Sequence, residues 1–66
     1  MRPFRVGDVF CGNHSGLIAE VSWVDPHDHF RAVVNSADFV DETVYASQFL
    51  SHWTLINEGP ALTREG

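Results

Sequence analysis

Turn-forming residues divide the first half of this chain into short strands, which restricts it to a small, strongly curved β-sheet. Gly7-Asp8 leads into Val9-Phe10-Cys11, Gly16 opens an apolar stretch over residues 17–24, and Asp25-Pro26-His27-Asp28 ends that stretch. The proline presets its own backbone angle, and the aspartates can bond to nearby main-chain amides, so this tetrapeptide is typical of a turn. The pattern predicts a short strand, a glycine-bounded loop and a longer strand that folds back as a hairpin.

Apolar residues recur at every second position of the predicted hairpin, which indicates strands with one buried face. The apolar face consists of Leu17, Ala19, Val21 and Trp23 on the first strand and of Phe30, Ala32 and Val34 on the return strand over residues 29–34. A chain of 66 residues needs a compact, aromatic core. We therefore expect four aromatic side chains to fill that core: Phe10, Trp23, Phe30 and Trp53.

The second half of the chain predicts two further strands with a short helical segment between them. Residues 35–38 have turn composition, residues 39–45 alternate again, and residues 46–52 are predicted as a single helical turn packed through Phe49 and Leu50. Residues 53–56 complete the predicted set of strands. The predicted fold is all-β, with five strands and one short helical turn before the last strand, which is the layout of an SH3-like small barrel. Its domain is predicted to span residues 1–58, with a flexible tail over residues 59–66.

Part of this layout resembles the KOW motif of ribosomal proteins and transcription-elongation factors. The resemblance covers about half of the chain and rests on Gly7-Asp8-Val9-Phe10, residues 16–21, Val24-Asp25 and the return strand over residues 30–34. It implies a small barrel that contacts RNA or protein, and here the nucleic-acid contacts would run through three arginines: Arg2, Arg5 and Arg31. In size and acidity the chain is also similar to small phage or prophage proteins that bind host proteins.

The charge balance favours a protein partner over a nucleic acid. Nine acidic residues stand against four arginines and no lysine, which gives a formal net charge of −5 with the four histidines neutral. Because non-specific affinity for nucleic acid comes largely from Lys and Arg neutralising phosphates, a chain with this balance is expected to repel DNA and RNA. The sequence therefore predicts a non-enzymatic, acidic binding module, an adaptor or inhibitor, that engages a basic protein surface.

The residues expected to meet that partner are five carboxylates and one exposed aromatic side chain. They are Asp25, Asp28, Asp38, Asp41, Glu42 and Tyr45. The carboxylates supply spaced negative charge, and an aromatic residue beside them can anchor a partner as interface hot spots do. No signature of catalysis accompanies them, because neighbouring carboxylates such as Asp41 and Glu42 point to opposite faces of a strand.

A zinc-stabilised domain is the remaining alternative. Cys11 and His14 have C-x-x-H spacing, and His27 and His29 follow two residues apart, so thiolate and imidazole donors for a tetrahedral zinc ion are present in sufficient number. The competing interpretation places the histidines on surface turns and Cys11 in the core as a small apolar residue. No other cofactor is predicted.

The cysteine content and the lack of long apolar stretches lead to expectations about the environment of the protein. A single cysteine, Cys11, cannot form an intramolecular disulfide, which favours a reducing, cytoplasmic setting. The basic start Arg2-Pro3-Phe4-Arg5 is not followed by an apolar run, and no stretch approaches the ~20 apolar residues that span a bilayer. We therefore expect neither a secretion signal nor a membrane anchor.

Overall fold

The structure is a computed structural model that describes residues 2–60. It contains β1 (Val9–Gly12), β2 (Ile18–Val24), β3 (Arg31–Ser36), β4 (Glu42–Tyr45), α1 (Ala46–His52) and β5 (Trp53–Asn57). All strand pairs are antiparallel and form one sheet in the order β4-β3-β2-β1-β5. The predicted five-stranded β architecture with a short helix before the last strand is therefore confirmed. Within residues 2–60, β4 and β5 are the two ends of the sheet and do not pair, so the sheet does not close into a barrel.

The core is built around three phenylalanines from separate parts of the chain. The buried apolar residues are Phe4, Phe10, Ala19, Val21, Ala32, Val34, Ala46 and Phe49. Phe10 packs edge to face against Phe4 and Phe49, with ring centroids 6.0 and 5.1 Å apart. Trp53 stacks on Phe49 at 5.1 Å and lies partly buried at the border of this core. The core positions predicted for Phe10 and Trp53 thus agree with the structure, whereas Phe4 enters the core from an N-terminal arm for which no packing was predicted.

Two of the aromatic residues predicted for the core lie outside it. Trp23 is 43% exposed and Phe30 is 62% exposed, so both core predictions are wrong. For Trp23 the cause is a β-bulge: Val21 pairs with Val34, but Trp23 pairs with Val33, which leaves Ser22 as an extra residue on β2. The bulge interrupts the two-residue alternation and moves Trp23 to the face opposite Val21.

Phe30 is exposed because the return strand begins later than the sequence predicts. The residue lies in the turn, where its N–H donates to Asp28 Oδ1 at 3.1 Å, and β3 starts only at Arg31. The strand then continues through Ser36, so the predicted turn at residues 35–38 starts two residues too early. The next strand is shorter than predicted, because residues 39–41 belong to the loop that precedes β4.

α1 occupies the predicted residues 46–52 and forms a seven-residue α-helix, longer than the single turn expected. It is held to the core through Ala46 and Phe49, which lie three positions apart and share one face. Leu50, the second predicted packing residue, is 41% exposed. No helix within residues 2–60 combines the length and the apolar character needed to cross a membrane.

A buried aspartate connects the two ends of the described chain. Asp8 Oδ2 accepts a hydrogen bond from the Arg5 N–H at 2.8 Å, and Asp8 Oδ1 accepts one from the Gly59 N–H at 2.7 Å. Asp8 and Gly59 are both buried. Gly59, the first residue of the predicted tail, is therefore held to Asp8, and residues 61–66 of that tail lie outside the described residues.

Candidate partner-binding surface

Three of the predicted partner-binding carboxylates lie together where the chain leaves β3 and enters β4. Asp38, Asp41 and Glu42 are all exposed. The loop that presents them, residues 37–41, is fixed by the side chain of Asn35, whose Oδ1 accepts the Asp41 N–H at 2.8 Å. Asp41 has a φ of 53°, in the left-handed region that aspartate tolerates better than most residues. This bond therefore holds the loop in a defined conformation directly before Glu42.

An aromatic contact also anchors the 37–41 loop to the core. The ring of Phe39 packs edge to face against Trp53, with centroids 6.2 Å apart and planes at 85°. Trp53 in turn stacks on the buried ring of Phe49. The Ser36 N–H donates to the Phe39 carbonyl at 2.8 Å and closes the base of the loop. The carboxylate of Asp38, which precedes Phe39, is thus presented from a packed loop.

A shallow groove of about 290 Å³ borders β4. It is lined by Glu42, Thr43, Val44, Tyr45, Gln48, Phe49, His52 and Trp53. Its walls come from β4, from α1 and from the first residue of β5, and we call it the β4 groove. Two predicted partner-binding residues, Glu42 and Tyr45, belong to this lining, and Tyr45 is 52% exposed. The fold therefore brings a carboxylate and two aromatic residues, Tyr45 and Trp53, to one concave surface.

The carboxylates of Asp38, Asp41 and Glu42 carry charge that the rest of the described chain does not neutralise. Within residues 2–60 the single salt bridge is Arg31–Asp25, so Asp38, Asp41 and Glu42 make no ion pair there. Unpaired, exposed carboxylates keep a negative potential over their part of the surface. This potential is available to a cationic partner.

The other two predicted partner-binding carboxylates, Asp25 and Asp28, lie in the turn between β2 and β3. Asp25 is buried, and its carboxylate accepts the His27 N–H at 2.8 Å and the Arg31 guanidinium at 2.5 Å. The hydrogen bond from His27 is the largest cause that lowers the pKa of Asp25, and Arg31 adds to it. The charge of Asp25 is therefore already paired within the turn, while Asp28 is exposed and caps the Phe30 N–H.

The predicted zinc ligands are not assembled. Within residues 2–60 the structure contains no group of three or more His, Cys, Asp or Glu side chains arranged to hold a metal ion. Cys11 is a free thiol on β1, and its Sγ lies 3.7 Å from the Gly12 carbonyl. His14 lies beside His52 of α1, with ring centroids 6.4 Å apart, and His27 and His29 stay in the β2–β3 turn. The two predicted ligand pairs therefore form no metal site within residues 2–60.

Arg31, the first residue of β3, is engaged inside the molecule. The Arg31 guanidinium lies 5.7 Å from the ring centroid of Trp23 and also pairs with Asp25. A cation above an aromatic face and beside a carboxylate has both its charge and its planar surface in use. Arg31 is therefore poorly placed to bind a phosphate group.

Several residues of the β4 groove were missing from the sequence-based site. Gln48 and His52 line it from α1, and Trp53, which was predicted for the core, lines it as well. Asn35 was treated as a turn residue, yet its side chain fixes the loop that presents the carboxylates. The tendency of asparagine to bond to nearby main-chain amides was a usable signal for that role. The groove itself needed the three-dimensional placement of α1 against β4.

No protein-family model, curated protein or solved structure matches the chain. Its function is therefore inferred from its own geometry and charge.

Proposed function

We propose that this protein is a non-enzymatic, acidic binding module, an adaptor or inhibitor, whose partner is a protein with a basic surface. The observation that carries the proposal is the set of exposed carboxylates of Asp38, Asp41 and Glu42, which make no ion pair within residues 2–60 and of which Glu42 lines the β4 groove. Complementary charge accelerates encounter with a cationic partner and discriminates against acidic ones. The net charge of −5 over the whole chain acts in the same direction.

The β4 groove adds to this charge a concave surface on which a side chain of the partner can pack. Tyr45 is exposed and Trp53 is partly buried against Phe49, so both offer aromatic surface at the groove. Aromatic residues in partly desolvated positions provide much of the binding energy of many interfaces. The carboxylates thus attract the partner, and the β4 groove holds it.

The strand order supports a relationship to SH3-like small barrels, of which KOW-like domains are one form. Successive strands β1, β2, β3 and β4 pair in sequence, β5 returns beside β1, and α1 spans from β4 to β5. We propose that the chain is a divergent member of this barrel class whose sheet stays open between β4 and β5. The β4 groove occupies the β4 side of that opening.

The nucleic-acid alternative has less support from the geometry. Of the three arginines assigned to it, Arg31 is engaged by Asp25 and Trp23, which leaves Arg2 and Arg5 on the N-terminal arm. Two cations on an arm neutralise few phosphates, and affinity for nucleic acid rises with the number neutralised.

A paired-variant binding experiment tests the proposal. Asp38→Asn/Glu42→Gln removes one carboxylate of the 37–41 loop and one of the groove, and Glu20→Gln/Glu58→Gln removes two exposed carboxylates elsewhere, so both variants have the same net charge. Binding of a fluorescent decalysine peptide is measured by anisotropy at low salt and at about 0.3 M salt, where the screening length is about 6 Å. The first variant is expected to bind about tenfold more weakly than the unaltered chain, and the second within about twofold.

Two results would contradict the proposed function. Equal losses in the two variants would mean that only net charge matters and that the β4 side has no special role. Retention of labelled single- or double-stranded nucleic acid in a gel shift at low salt and micromolar protein would instead support the KOW-like alternative through Arg2 and Arg5.

A further inference from the structure

β4 is an edge strand whose outer side carries main-chain hydrogen-bonding groups that are not used within residues 2–60. The Ala46 N–H donates to the Phe30 carbonyl at 2.8 Å, which makes Phe30 and Ala46 a hydrogen-bonded pair in the antiparallel ladder. Hydrogen-bonded and non-hydrogen-bonded pairs alternate along such a ladder. Thr43 and Tyr45, which pair with Val33 and Arg31, therefore belong to non-hydrogen-bonded pairs, and their main-chain groups point away from β3.

Three of these outward groups are free to bond to another chain. The fourth outward group, the Tyr45 carbonyl, is already used. Tyr45 is the N-cap residue of α1, so its carbonyl accepts the first hydrogen bond of that helix. Within residues 2–60 the Thr43 carbonyl accepts no turn or side-chain hydrogen bond, and the N–H groups of Thr43 and Tyr45 donate none. An edge strand with such groups is a template for pairing with an extended segment.

The β4 groove lies against this edge. Thr43 and Tyr45 both contribute to its lining, and the opposite wall comes from Gln48 and His52 of α1 and from Trp53. Its volume of about 290 Å³ is at the lower limit for small-molecule sites, about 300 Å³, and so suits individual side chains of a passing segment. Alternate side chains of an added strand point to one face, so those on the groove side would enter it.

The charge of the site identifies what the segment must carry. Glu42 lines the groove, and Asp41 precedes it on the exposed loop, with no ion pair for either within residues 2–60. A lysine or arginine on the added strand would meet the Glu42 carboxylate and the aromatic surface of Tyr45 and Trp53. A second copy of this chain is a poor occupant, because each copy has a net charge of −5 and brings the same carboxylates to the contact.

We propose that β4 accepts an extended, lysine- or arginine-bearing segment of the partner protein as a sixth strand of the sheet. The added strand bonds to the main chain of Thr43 and to the Tyr45 N–H, and a cationic side chain lies in the β4 groove beside Glu42. This inference rests on the proposed function and goes further, because it specifies the conformation of the partner and the atoms that bind it.

N-methylated peptides separate strand addition from simple charge attraction. The probe is the labelled heptapeptide Lys-Thr-Lys-Val-Lys-Thr-Lys, prepared unmodified, methylated on the main-chain nitrogens of the lysines, or methylated on those of Thr and Val. The three peptides have the same charge. A strand exposes alternate N–H groups to each side, so one methylated peptide is expected to bind at least about tenfold more weakly than the unmodified one, and the other about equally.

Amide hydrogen exchange measured by NMR locates the contact. Adding the unmodified peptide is expected to slow exchange at the Thr43 and Tyr45 amides and to leave the amides of β5, the other sheet edge, unchanged. The Glu42→Gln variant is expected to weaken binding about threefold to fivefold, with Glu20→Gln as the control. Circular dichroism melts check that both variants are folded.

The outcomes distinguish the two proposals. If both methylated peptides bind as well as the unmodified one, and Thr43 and Tyr45 gain no protection, strand addition is wrong while charge-based binding at the β4 side survives. If no basic peptide binds more strongly than an acidic peptide of equal length, the proposed function fails as well. If Thr43 and Tyr45 are already protected in the free protein and sedimentation shows a dimer, the occupant of β4 is a second copy, which overturns the inference.

Discussion

Trp23 is a large aromatic residue on the solvent side of the sheet, where it contacts the Arg31 guanidinium. Phe10, in contrast, is 1% exposed and touches both other phenylalanines of the core. The bulge at Ser22 causes this difference, because without it Trp23 would share the buried face of Val21. The two aromatic residues are therefore expected to contribute very differently to stability.

Phe10→Ala is expected to cost about 3–5 kcal/mol of unfolding free energy, because it leaves a cavity between Phe4 and Phe49. Trp23→Ala is expected to cost about 1 kcal/mol, through loss of the cation–π contact and of partial burial. Urea unfolding followed by circular dichroism measures the loss for Trp23→Ala, and the circular dichroism spectrum without urea shows whether Phe10→Ala is folded. A domain of this size has a small free energy of unfolding, and a loss of this amount is expected to leave Phe10→Ala largely unfolded at room temperature. An equally large loss for Trp23→Ala would mean that the bulge is misplaced.

At the scale of elements, the turn between β2 and β3 is stabilised by the charge of one carboxylate. Asp25 accepts the His27 N–H and pairs with Arg31, the first residue of β3. These contacts favour the ionised form and hold the pKa of Asp25 below its ordinary value. A lowered folded-state pKa means that the contribution to stability is fully present above the unfolded value, about pH 4, and is lost as pH falls through the folded value.

Replacing Asp25 is therefore expected to change how the melting temperature depends on pH at acidic pH. Asp25→Ala should melt at a lower temperature than the unaltered chain at pH 7, and the difference should shrink as pH falls below about 4. Asp25→Asn keeps an oxygen that accepts the His27 N–H but loses the ion pair. Its melting temperature at pH 7 should therefore lie between those of Asp25→Ala and the unaltered chain. Thermal melts from pH 7 to pH 2 measure the effect. A difference that stays constant over this range would show that the charge of Asp25 contributes nothing.

The sequence predicted the elements well because their signals are local. Residues 46–52 were assigned to the helical segment, and the structure places α1 over the same residues. The strand count, the β2–β3 hairpin and the buried side of Ala19 and Val21 also follow from turn residues and two-residue alternation. The bulge at Ser22 carries no local signal, because it depends on how β2 and β3 pair. The faces of side chains beyond it could not be predicted from alternation alone.

The candidate site was only partly predictable for the same reason. The carboxylates and Tyr45 were visible as residue types, and of these Glu42 and Tyr45 line the groove, while Asp38 and Asp41 are exposed on the loop before β4. Asp25 was assigned to the same group from its charge, but its pairing with Arg31 depends on the closure of the hairpin. Likewise, the free edge of β4 follows from the strand order, which brings β5 beside β1 rather than beside β4.

At the scale of the whole molecule, the N-terminal arm, the sheet and the C-terminal end of the described chain meet at Asp8. Its carboxylate joins the Arg5 and Gly59 amides, and the Gly59 bond spans 51 residues of sequence. The main chain of Asp8 takes part as well, since its carbonyl accepts the Val21 N–H at 2.9 Å. This junction closes the molecule around Phe4, the buried residue of the arm.

Gly59 is the position at which this junction is most sensitive to substitution. A Cβ there would overlap the Val6 carbonyl oxygen and lie 2.9 Å from both the Asp8 nitrogen and the Gly7 carbonyl carbon. All three atoms belong to the main chain and cannot move aside as a flexible side chain would. Gly59→Ala is therefore expected to displace the C-terminal segment, break the bond to Asp8 and cost about 3 kcal/mol or more.

Gly16→Ala is the matched control. Gly16 has a φ of +74° and open space around its Cβ position, so alanine there adds only backbone strain, about 1 kcal/mol. Urea unfolding compares the two variants, and a double-mutant cycle with Asp8→Ala tests the mechanism. If Gly59 acts through its bond to Asp8, the combined loss should be smaller than the sum of the single losses. Additive losses, or a Gly59→Ala effect no larger than that of Gly16→Ala, would show that the two ends of the chain are not joined energetically at Asp8.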